Sequence, residues 1–565
     1  MKSIYEEKIW LKFYPTGVPF AVPIPIKAVG AAFDESVKRW KSKTAIRFYG
    51  ARIRYGDLKD KVDRFASALF DLGVAKGDRI AFLLLNSPEY VISFFAAAKI
   101  GAIITPISPA YVSSEIRHQL EDSGAEHIIC QDILYEAVKN TGIRFKNVIL
   151  TSIVESLPKM KKFISRSVFR HVYQKIQDPV PKILTKEGYH FHDLMKKYRP
   201  SPPRIEINPE KDILTLSYTG GTTGLPRGVM ITHYNVMATL TQFRAFYPTF
   251  MDGNETLIAI MPFNQITGQT TVLTNGILSG STAVIITVPN ADDILNSIVT
   301  CKVSQLGGTP SIFEILKYYE KTQRVNWKNL KMVCSSTDAL HAATADDWKM
   351  RTGTVIHDLY GMTETTGLCA GTPQGRGKIG SVGIPLPNTV IAIADPDKNE
   401  LIPIGEIGEV LVSGPQVALG YWNNPNATNG CVVDIQDVKW WRTGDLGRMD
   451  EDGYFYLYDT KRDLIKSEAF RVHAREVEEV LESHPQIKHA AVIGLQDIKA
   501  GGAIKAFVVL EPDARGKISE EKIIQYCEGK LEHYKIPKVI ESVGELPKTD
   551  MGRVSRRELR EMEEM

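Results

Sequence analysis

Two rhythms of apolar positions alternate along this chain. The first is a short run buried end to end, as in Ile80-Ala81-Phe82-Leu83-Leu84-Leu85, residues 102–107 and His127-Ile128-Ile129-Cys130. Such runs read as strands covered on both faces. The second is a longer stretch with apolar residues three or four apart. After Tyr55-Gly56-Asp57 the positions Val62, Phe65, Ala66, Leu69 and Leu72 predict a helix with one buried stripe, and residues 31–40 and 94–100 also read as helices. Residues 45–49 and 52–55 predict a hairpin around Gly50. From residue 213 the alternation resumes, with strands expected at 213–216, 257–261, 281–288, 303–306, 330–334 and 354–359.

Strand–helix alternation of this kind predicts an α/β protein with parallel sheets between helices. The pattern changes at about residue 390. Short β-rich runs at 390–394, 408–413, 440–442 and 453–458, set between Gly/Pro turns, predict a small β-barrel or distorted sheet. From 460 onward a compact α+β piece is expected, with helices near 474–484, 519–532 and 554–564 and strands near 490–494 and 503–510. The first 30 residues, rich in proline and aromatics, read as an extended arm over a later surface. The expected organisation is a large N-terminal domain over 1–458, a hinge at 459–463 and a small mobile C-terminal domain over 464–565. The N-terminal domain divides into α/β subdomains at about 1–205 and 206–390 and the small barrel at 391–458.

Composition narrows the class. A chain of 565 residues, 43% apolar and 24% charged, has the make-up of an ordinary globular protein with large cores. A formal charge of +3 gives no case for nucleic acid as a partner. Six scattered cysteines without a C-x-x-C pair argue for a reducing, cytoplasmic setting and against a disulfide framework or zinc site. The N-terminal residues carry acids and no apolar core of a signal peptide. The most apolar stretch, 90–107, is interrupted by Lys99 and is short for a membrane span. Residues 158–176 interleave Lys159, Lys161, Lys162, Arg166, Arg170 and Lys175 with Phe163, Ile164, Phe169 and Tyr173. That pattern fits either a peripheral contact with an anionic membrane or a solvated surface helix.

Four motifs carry candidate chemistry. In Tyr218-Thr219-Gly220-Gly221-Thr222-Thr223-Gly224-Leu225-Pro226-Arg227 a strand runs into a loop of glycines and threonines, and a helix-like stretch is expected from Val229. Glycines let backbone N–H groups turn toward an anion, threonines add hydroxyl donors and Arg227 adds a charge, so the loop reads as a polyphosphate cradle. It lacks the Walker A spacing. The second motif, Asp358-Leu359-Tyr360-Gly361-Met362-Thr363-Glu364, follows an apolar strand, where open α/β sheets bind ligands. Tyr360 offers a ring face and Glu364 a hard oxygen suited to Mg²⁺. In the third, Thr443-Gly444-Asp445, the carboxylate can accept from a ribose diol. The fourth, Pro547-Lys548-Thr549-Asp550-Met551-Gly552-Arg553, puts a cation on a turn. Singly, each also reads as an ordinary turn.

Together, in this order, the motifs resemble those of the adenylate-forming superfamily, and the match runs over about residues 30–560. The opening Trp10-Leu11-Lys12-x-Tyr14-Pro15-x-Gly17-Val18-Pro19 and the basic insertion at 158–176 look most like AMP-forming long- or medium-chain fatty acyl-CoA synthetases. The resemblance implies a two-step ligase. A fatty acid carboxylate attacks the α-phosphate of ATP, with Mg²⁺ as cofactor, to give an acyl-adenylate and pyrophosphate. The thiol of coenzyme A then displaces AMP. It further implies that Thr219, Gly220, Gly221, Thr222, Thr223, Gly224 and Arg227 hold the leaving phosphates. Asp338, Asp358, Tyr360 and Gly361 lie by the adenine, and Asp445 and Arg462 hold the nucleotide. Thr363, Glu364, Lys466 and Arg553 serve the chemistry, while Gln265, Gly308 and Ala469 line acyl and thiol paths. A homodimer is left open.

The sequence departs from that family's pattern at several cations and glycines. Arg227 and Arg553 stand where the family keeps lysines, and a planar fork is not equivalent to a compact ammonium. Gln265 replaces a histidine or aromatic gate. Thr460 replaces the hinge arginine unless Lys461 or Arg462 substitutes. Glu468 and Ala469 replace two glycines of the turn that starts at Lys466. These changes keep two other readings open: a weakened homologue that acts by binding nucleotide or acyl ligand, and a ligase for aryl or short-chain acids.

Overall fold

The computed structural model describes residues 4–158, 188–219, 226–337, 340, 342–460, 465–467, 470–472, 474–495, 503–514, 516–528, 530–531, 533–548 and 554–564. Short helical turns at Ile4–Glu7 and Ile9–Phe13, in the arm expected to be extended, and a helix at Val29–Trp40 precede the first strands, a β-hairpin of β1 (Thr44–Phe48) and β2 (Ala51–Arg54). The next five strands are β3 (Arg79–Leu83), β4 (Ile103–Pro106), β5 (His127–Gln131), β6 (Asn147–Thr151) and β7 (Tyr189–His190). With β8 (Ile213–Tyr218) and β9 (Gly228–Thr232) they form a seven-stranded sheet in the order β7-β6-β5-β3-β4-β8-β9. All its pairings are parallel except β8 with β9. The helix Pro88–Ile100 shows why these segments fold as they do. Ser87 caps it by accepting from the Tyr90 N–H, Pro88 takes the first helical position, and Gly101 ends it in the left-handed region. Nearly every residue of it is buried, which suits a helix apolar all round.

A second sheet has nine strands. It uses β10 (Thr256–Ala259), β11 (Thr282–Ile285), β12 (Gln305–Gly308), β13 (Met332–Ser335), β14 (Ile356–Tyr360), β15 (Ala370–Gly371) and β16 (Ile384–Pro385). The order is β16-β15-β14-β13-β12-β10-β11-β1-β2, so the N-terminal hairpin completes the sheet of the second subdomain. β17 (Val390–Ala394), β18 (Gly408–Ser413), β19 (Val432–Ile435), β20 (Val438–Met449) and β21 (Phe455–Thr460) make an antiparallel sheet. Of the two forms expected for 391–458, this is the distorted sheet: its register shifts twice, between Glu409 and Leu411 and between Leu446 and Gly447.

The arm lies over this third unit. Trp10 is fully buried, the Tyr14 hydroxyl donates to the Pro385 carbonyl at 2.8 Å, and Asn388 bonds both ways with Val22. The C-terminal piece has its own core, built on β24 (Ile487–Leu495), β25 (Ala503–Leu510) and β26 (Val539–Ser542), after a small hairpin of β22 (Ile465–Ser467) and β23 (Phe470–Val472). Helices Ala474–Glu482, Glu520–Glu528 and Arg556–Glu564 accompany that sheet, as expected.

One local expectation is overturned. Residues from Val229 form a strand, not a helix; the helix begins only at His233. The reason is tertiary. Val229 and Ile231 are fully buried, and β9 pairs with β8 on one side while Met230 exchanges backbone hydrogen bonds with Leu419 and Gly420 on the other. A β-branched run with partners on both edges is held as strand, whatever its weak local preference.

Candidate active site

The site is built where segments distant in sequence meet. β8 and β9 hold the neck of the Gly/Thr loop: the Thr219 N–H donates to the Arg227 carbonyl at 3.1 Å, and the Arg227 N–H donates to the Thr219 hydroxyl at 3.3 Å. The Tyr218 hydroxyl donates to Asp122 at 2.6 Å, and a Cβ at Gly228 would come within 3.1 Å of the Tyr218 ring. Residues 220–225, the body of the expected phosphate cradle, lie outside the described residues.

Beside that neck stands the turn after β14. Asp358 and Tyr360 are in the strand itself, and Thr363–Thr365 form a single 3-10 turn. At Gly361 a Cβ would fall 2.5 Å from the backbone of Gly367 and Leu368, so the turn closes only over glycine. The Tyr360 hydroxyl donates to Asp445 at 2.6 Å. Asp445 is brought there by the bulge in β20, where Gly444 takes a positive φ of 78° and Thr443 ties back to the Val410 carbonyl at 2.9 Å. Two motifs 85 positions apart thus share one hydrogen bond.

Glu364 is buried, and burial pushes its carboxyl above the usual carboxylate range. The opposing influences are the Tyr421 hydroxyl, which donates to its Oε1 at 2.6 Å, and the Arg227 charge. Tyr421 joins the pieces. The Arg227 guanidinium lies 5.4 Å from its ring centroid, and Trp441 meets the same ring edge-on at 5.6 Å. The Ala418 N–H donates to the Glu364 carbonyl at 2.8 Å, and the Trp422 backbone N–H to the Gly228 carbonyl at 2.7 Å. Segment 414–422 therefore straps the Glu364 turn to the phosphate-loop strand. Sequence reasoning missed Tyr421. The signal, an aromatic in Leu419-Gly420-Tyr421-Trp422, is non-local and has no meaning until β9 is known to be a strand.

Among the described residues no group of three or more His, Cys, Asp or Glu side chains could hold a metal ion. Glu364 alone still suits Mg²⁺, which commonly takes one or two carboxylates and completes its shell with phosphate oxygens and water. A dication would also supply the positive charge that a buried carboxylate lacks. Thr363 precedes Glu364 on the same turn, half-buried.

A largely apolar cavity reaches Leu359, at the end of β14 just before this turn. Met261, Thr267, Val272, Gly307, Ser336 and Leu359 are among its lining residues. Gly307 rather than Gly308 forms its wall. A side chain at Gly307 would meet nothing within 4 Å, whereas one at Gly308 would touch Ile312 and Phe313. Gln265 sits before the helix that follows, its N–H donating to the Pro262 carbonyl at 3.1 Å; its neighbour Thr267, not Gln265, lines the cavity. That helix, Gly268–Thr274, has the wide π geometry, often found at functional sites. Asp338, Arg462, Ala469 and Arg553 lie outside the described residues, as does the side chain of Lys466.

Comparison with known proteins identifies the family. The family model described as "AMP-binding enzyme" matches residues 33–422, and "AMP-binding enzyme C-terminal domain" matches 476–553. This chain belongs to the AMP-binding enzyme family. Within it, the chain is 34% identical over 562 residues to a long-chain-fatty-acid–CoA ligase of Bacillus subtilis, covering 99% of this chain and 98% of that protein. A ligase of the same name from Escherichia coli O6:H1 is 32% identical over 565 residues, covering 98% of each. A probable 4-coumarate–CoA ligase 1 of Dictyostelium discoideum is 29% identical over 89% of both chains. Among solved structures, ATP-bound MatB from Rhodopseudomonas palustris shares the fold, with a TM-score of 0.81 at 24% identity over 94% of this chain and 98% of that one. The anthranilate CoA ligase AuaEII with anthranoyl-AMP gives 0.80 at 24% identity, over 96% and 98%.

Proposed function

We propose that this AMP-binding enzyme is a fatty acid–CoA ligase. The observation that carries the reading is the convergence of Arg227, Tyr421, Glu364, Tyr360 and Asp445 around the turn after β14, with a largely apolar cavity reaching Leu359 on the same strand. Arg227 and the Gly/Thr loop neutralise the pyrophosphate that leaves, in the place where charge accumulates. Tyr360 and Asp445 orient the nucleoside, and Glu364, held by Tyr421, would hold Mg²⁺, which supplies charge neutralisation at the phosphates when bound. The acid's carboxylate oxygen forms a bond to the α-phosphorus as the bond to pyrophosphate breaks. Coenzyme A sulfur then forms the thioester bond as the carbonyl–oxygen bond to AMP breaks. Positioning of two reactants accounts for much of such a rate. Rotation of residues 464–565 about the hinge at 459–463 would bring Lys466 and Arg553 to their respective steps.

A cavity that follows the strands inward favours an alkyl chain over a compact aryl acid. The names of full-length relatives point the same way. The test is pyrophosphate release from Mg·ATP with straight-chain and aryl acids, with and without coenzyme A. Release with alkanoic acids and conversion to thioester supports the ligase. Nucleotide binding without release for any acid supports a binding homologue instead.

No helix among the described residues is long and apolar enough to cross a membrane. Contact with a membrane surface through the basic stretch 158–176, most of which lies outside the described residues, is part of the same proposal. Co-sedimentation with anionic but not neutral vesicles, weakened by salt, tests it.

A further inference from the structure

The cavity has a direction set by the sheet. Leu257, Gln305 and Met332 sit at one level across β10, β12 and β13, because Leu257 pairs with Gln305 and Gln305 with Met332. All three line the cavity, as do Cys334 and Ser336 at the carboxyl ends of the strands. The space therefore runs from the reacting end toward the amino ends. At the strand rise, Met332 to Ser336 spans roughly 13 Å.

What lies beyond that far end is polar. A second, smaller cavity, with room for little more than one water-sized group, shares Phe250 and Gln305 with the first, so these two residues stand between them. Its other walls include Arg244, Asp252, Glu255 and Asn275. The charges are already matched: Arg244 pairs with Asp252, and Glu255 takes Lys331 at 2.7 Å and the Ser304 hydroxyl at 2.6 Å. Asn275 is different. It is only 4% exposed, and its Oδ1 has no hydrogen-bond partner among the described residues. A buried acceptor without a donor is costly. The chamber thus offers a buried acceptor with no donor among the described residues, cations that are already paired, and a wall shared with the acyl cavity.

We propose that the acyl cavity ends in this chamber and that the enzyme accepts acids bearing a terminal hydroxyl, whose O–H donates to Asn275 Oδ1. The ligand class is an ω-hydroxyalkanoic acid long enough to pass Phe250 and Gln305; with shorter acids water fills the chamber. An ω-carboxylate is disfavoured, because Asp252 and Glu255 already use the nearby cations. The proposal rests on the ligase reading above and specifies its substrate.

The experiment compares kcat/KM for pyrophosphate release with n-alkanoic acids and their ω-hydroxy counterparts, length by length. Hydroxylated acids too short for the chamber bury an unpartnered hydroxyl, so they should fall about ten-fold or more below the plain acid. At the length that reaches Asn275 the ratio should return to one or above. Asn275→Leu should then lower that ratio about ten-fold at that length alone. A penalty equal at every length overturns the proposal, as does a ratio that Asn275→Leu leaves unchanged. If the variant does not fold, the wild-type length dependence decides alone. Plain acids turned over with hydroxyl rejected throughout sinks only this inference; no release with either series sinks the ligase reading as well.

Discussion

Tyr421→Phe isolates the contact that joins the site. Phenylalanine keeps the ring, and with it the edge contact to Trp441 at 5.6 Å and the Arg227 guanidinium at 5.4 Å. It removes only the hydroxyl that donates to Glu364 Oε1 at 2.6 Å. A hydrogen bond to a charged group contributes about 1.5–3 kcal/mol, and about 1.36 kcal/mol is ten-fold in an equilibrium. If that bond holds Glu364 in the orientation that meets the metal, Mg²⁺-dependent ATP binding weakens by about ten- to one hundred-fold. ATP binding in the absence of Mg²⁺ stays near the wild-type value. The assay is equilibrium ATP binding across a Mg²⁺ titration, with the melting temperature as a check that the fold persists. An unchanged Mg²⁺ dependence, or equal losses with and without the metal, would mean that the Tyr421 hydroxyl does not position Glu364 for the metal.

Three further substitutions test neighbouring contacts. Glu364→Gln keeps the shape and removes the charge, so pyrophosphate release should fall by about one hundred-fold or more, while metal-free nucleotide binding persists. Asp445→Asn replaces the acceptor of the Tyr360 hydroxyl and the carboxylate assigned to the ribose; KM for ATP should rise about ten-fold or more, with a smaller change in kcat. His233 concerns stability. It is fully buried, its Nδ1 accepts from the Val29 N–H at 3.2 Å, and burial lowers its pKa from 6.5 to about 4. Between those values the unfolded chain takes up a proton that the folded chain refuses. Stability is therefore full above pH 6.5 and falls by up to about 3 kcal/mol as pH drops toward 4. Urea unfolding of His233→Gln should lack that part of the pH slope; an identical slope contradicts the assignment.

Local pattern alone made most elements legible. Fully apolar runs became central strands, and the 3.6-residue stripe after Tyr55 became the helix Tyr55–Asp71. What the pattern could not carry was partnership. Val229-Met230-Ile231 reads equally as the start of a helix until β8 and segment 414–422 are placed on either side. The hairpin of β1 and β2 belongs to a sheet whose other strands begin about two hundred residues later, at β10. The motif residues Tyr360, Glu364 and Asp445 were legible from their spacing and chemistry. Tyr421 and Asn275 were not, because their roles lie in burial and in what faces them. Gly307 and Gly308 differ only in which side of β12 each presents, and a dipeptide of glycines gives no hydrophobic alternation to tell them apart.

A ligase of this kind must form an acyl-adenylate. The direct measurement incubates the protein with a straight-chain fatty acid and Mg·ATP labelled in its α-phosphate, without coenzyme A, and then adds the thiol. The expected product is a labelled acyl-adenylate that coenzyme A converts into free AMP and acyl-CoA. ATP that binds yet leaves no labelled adenylate with any chain length would contradict the ligase reading.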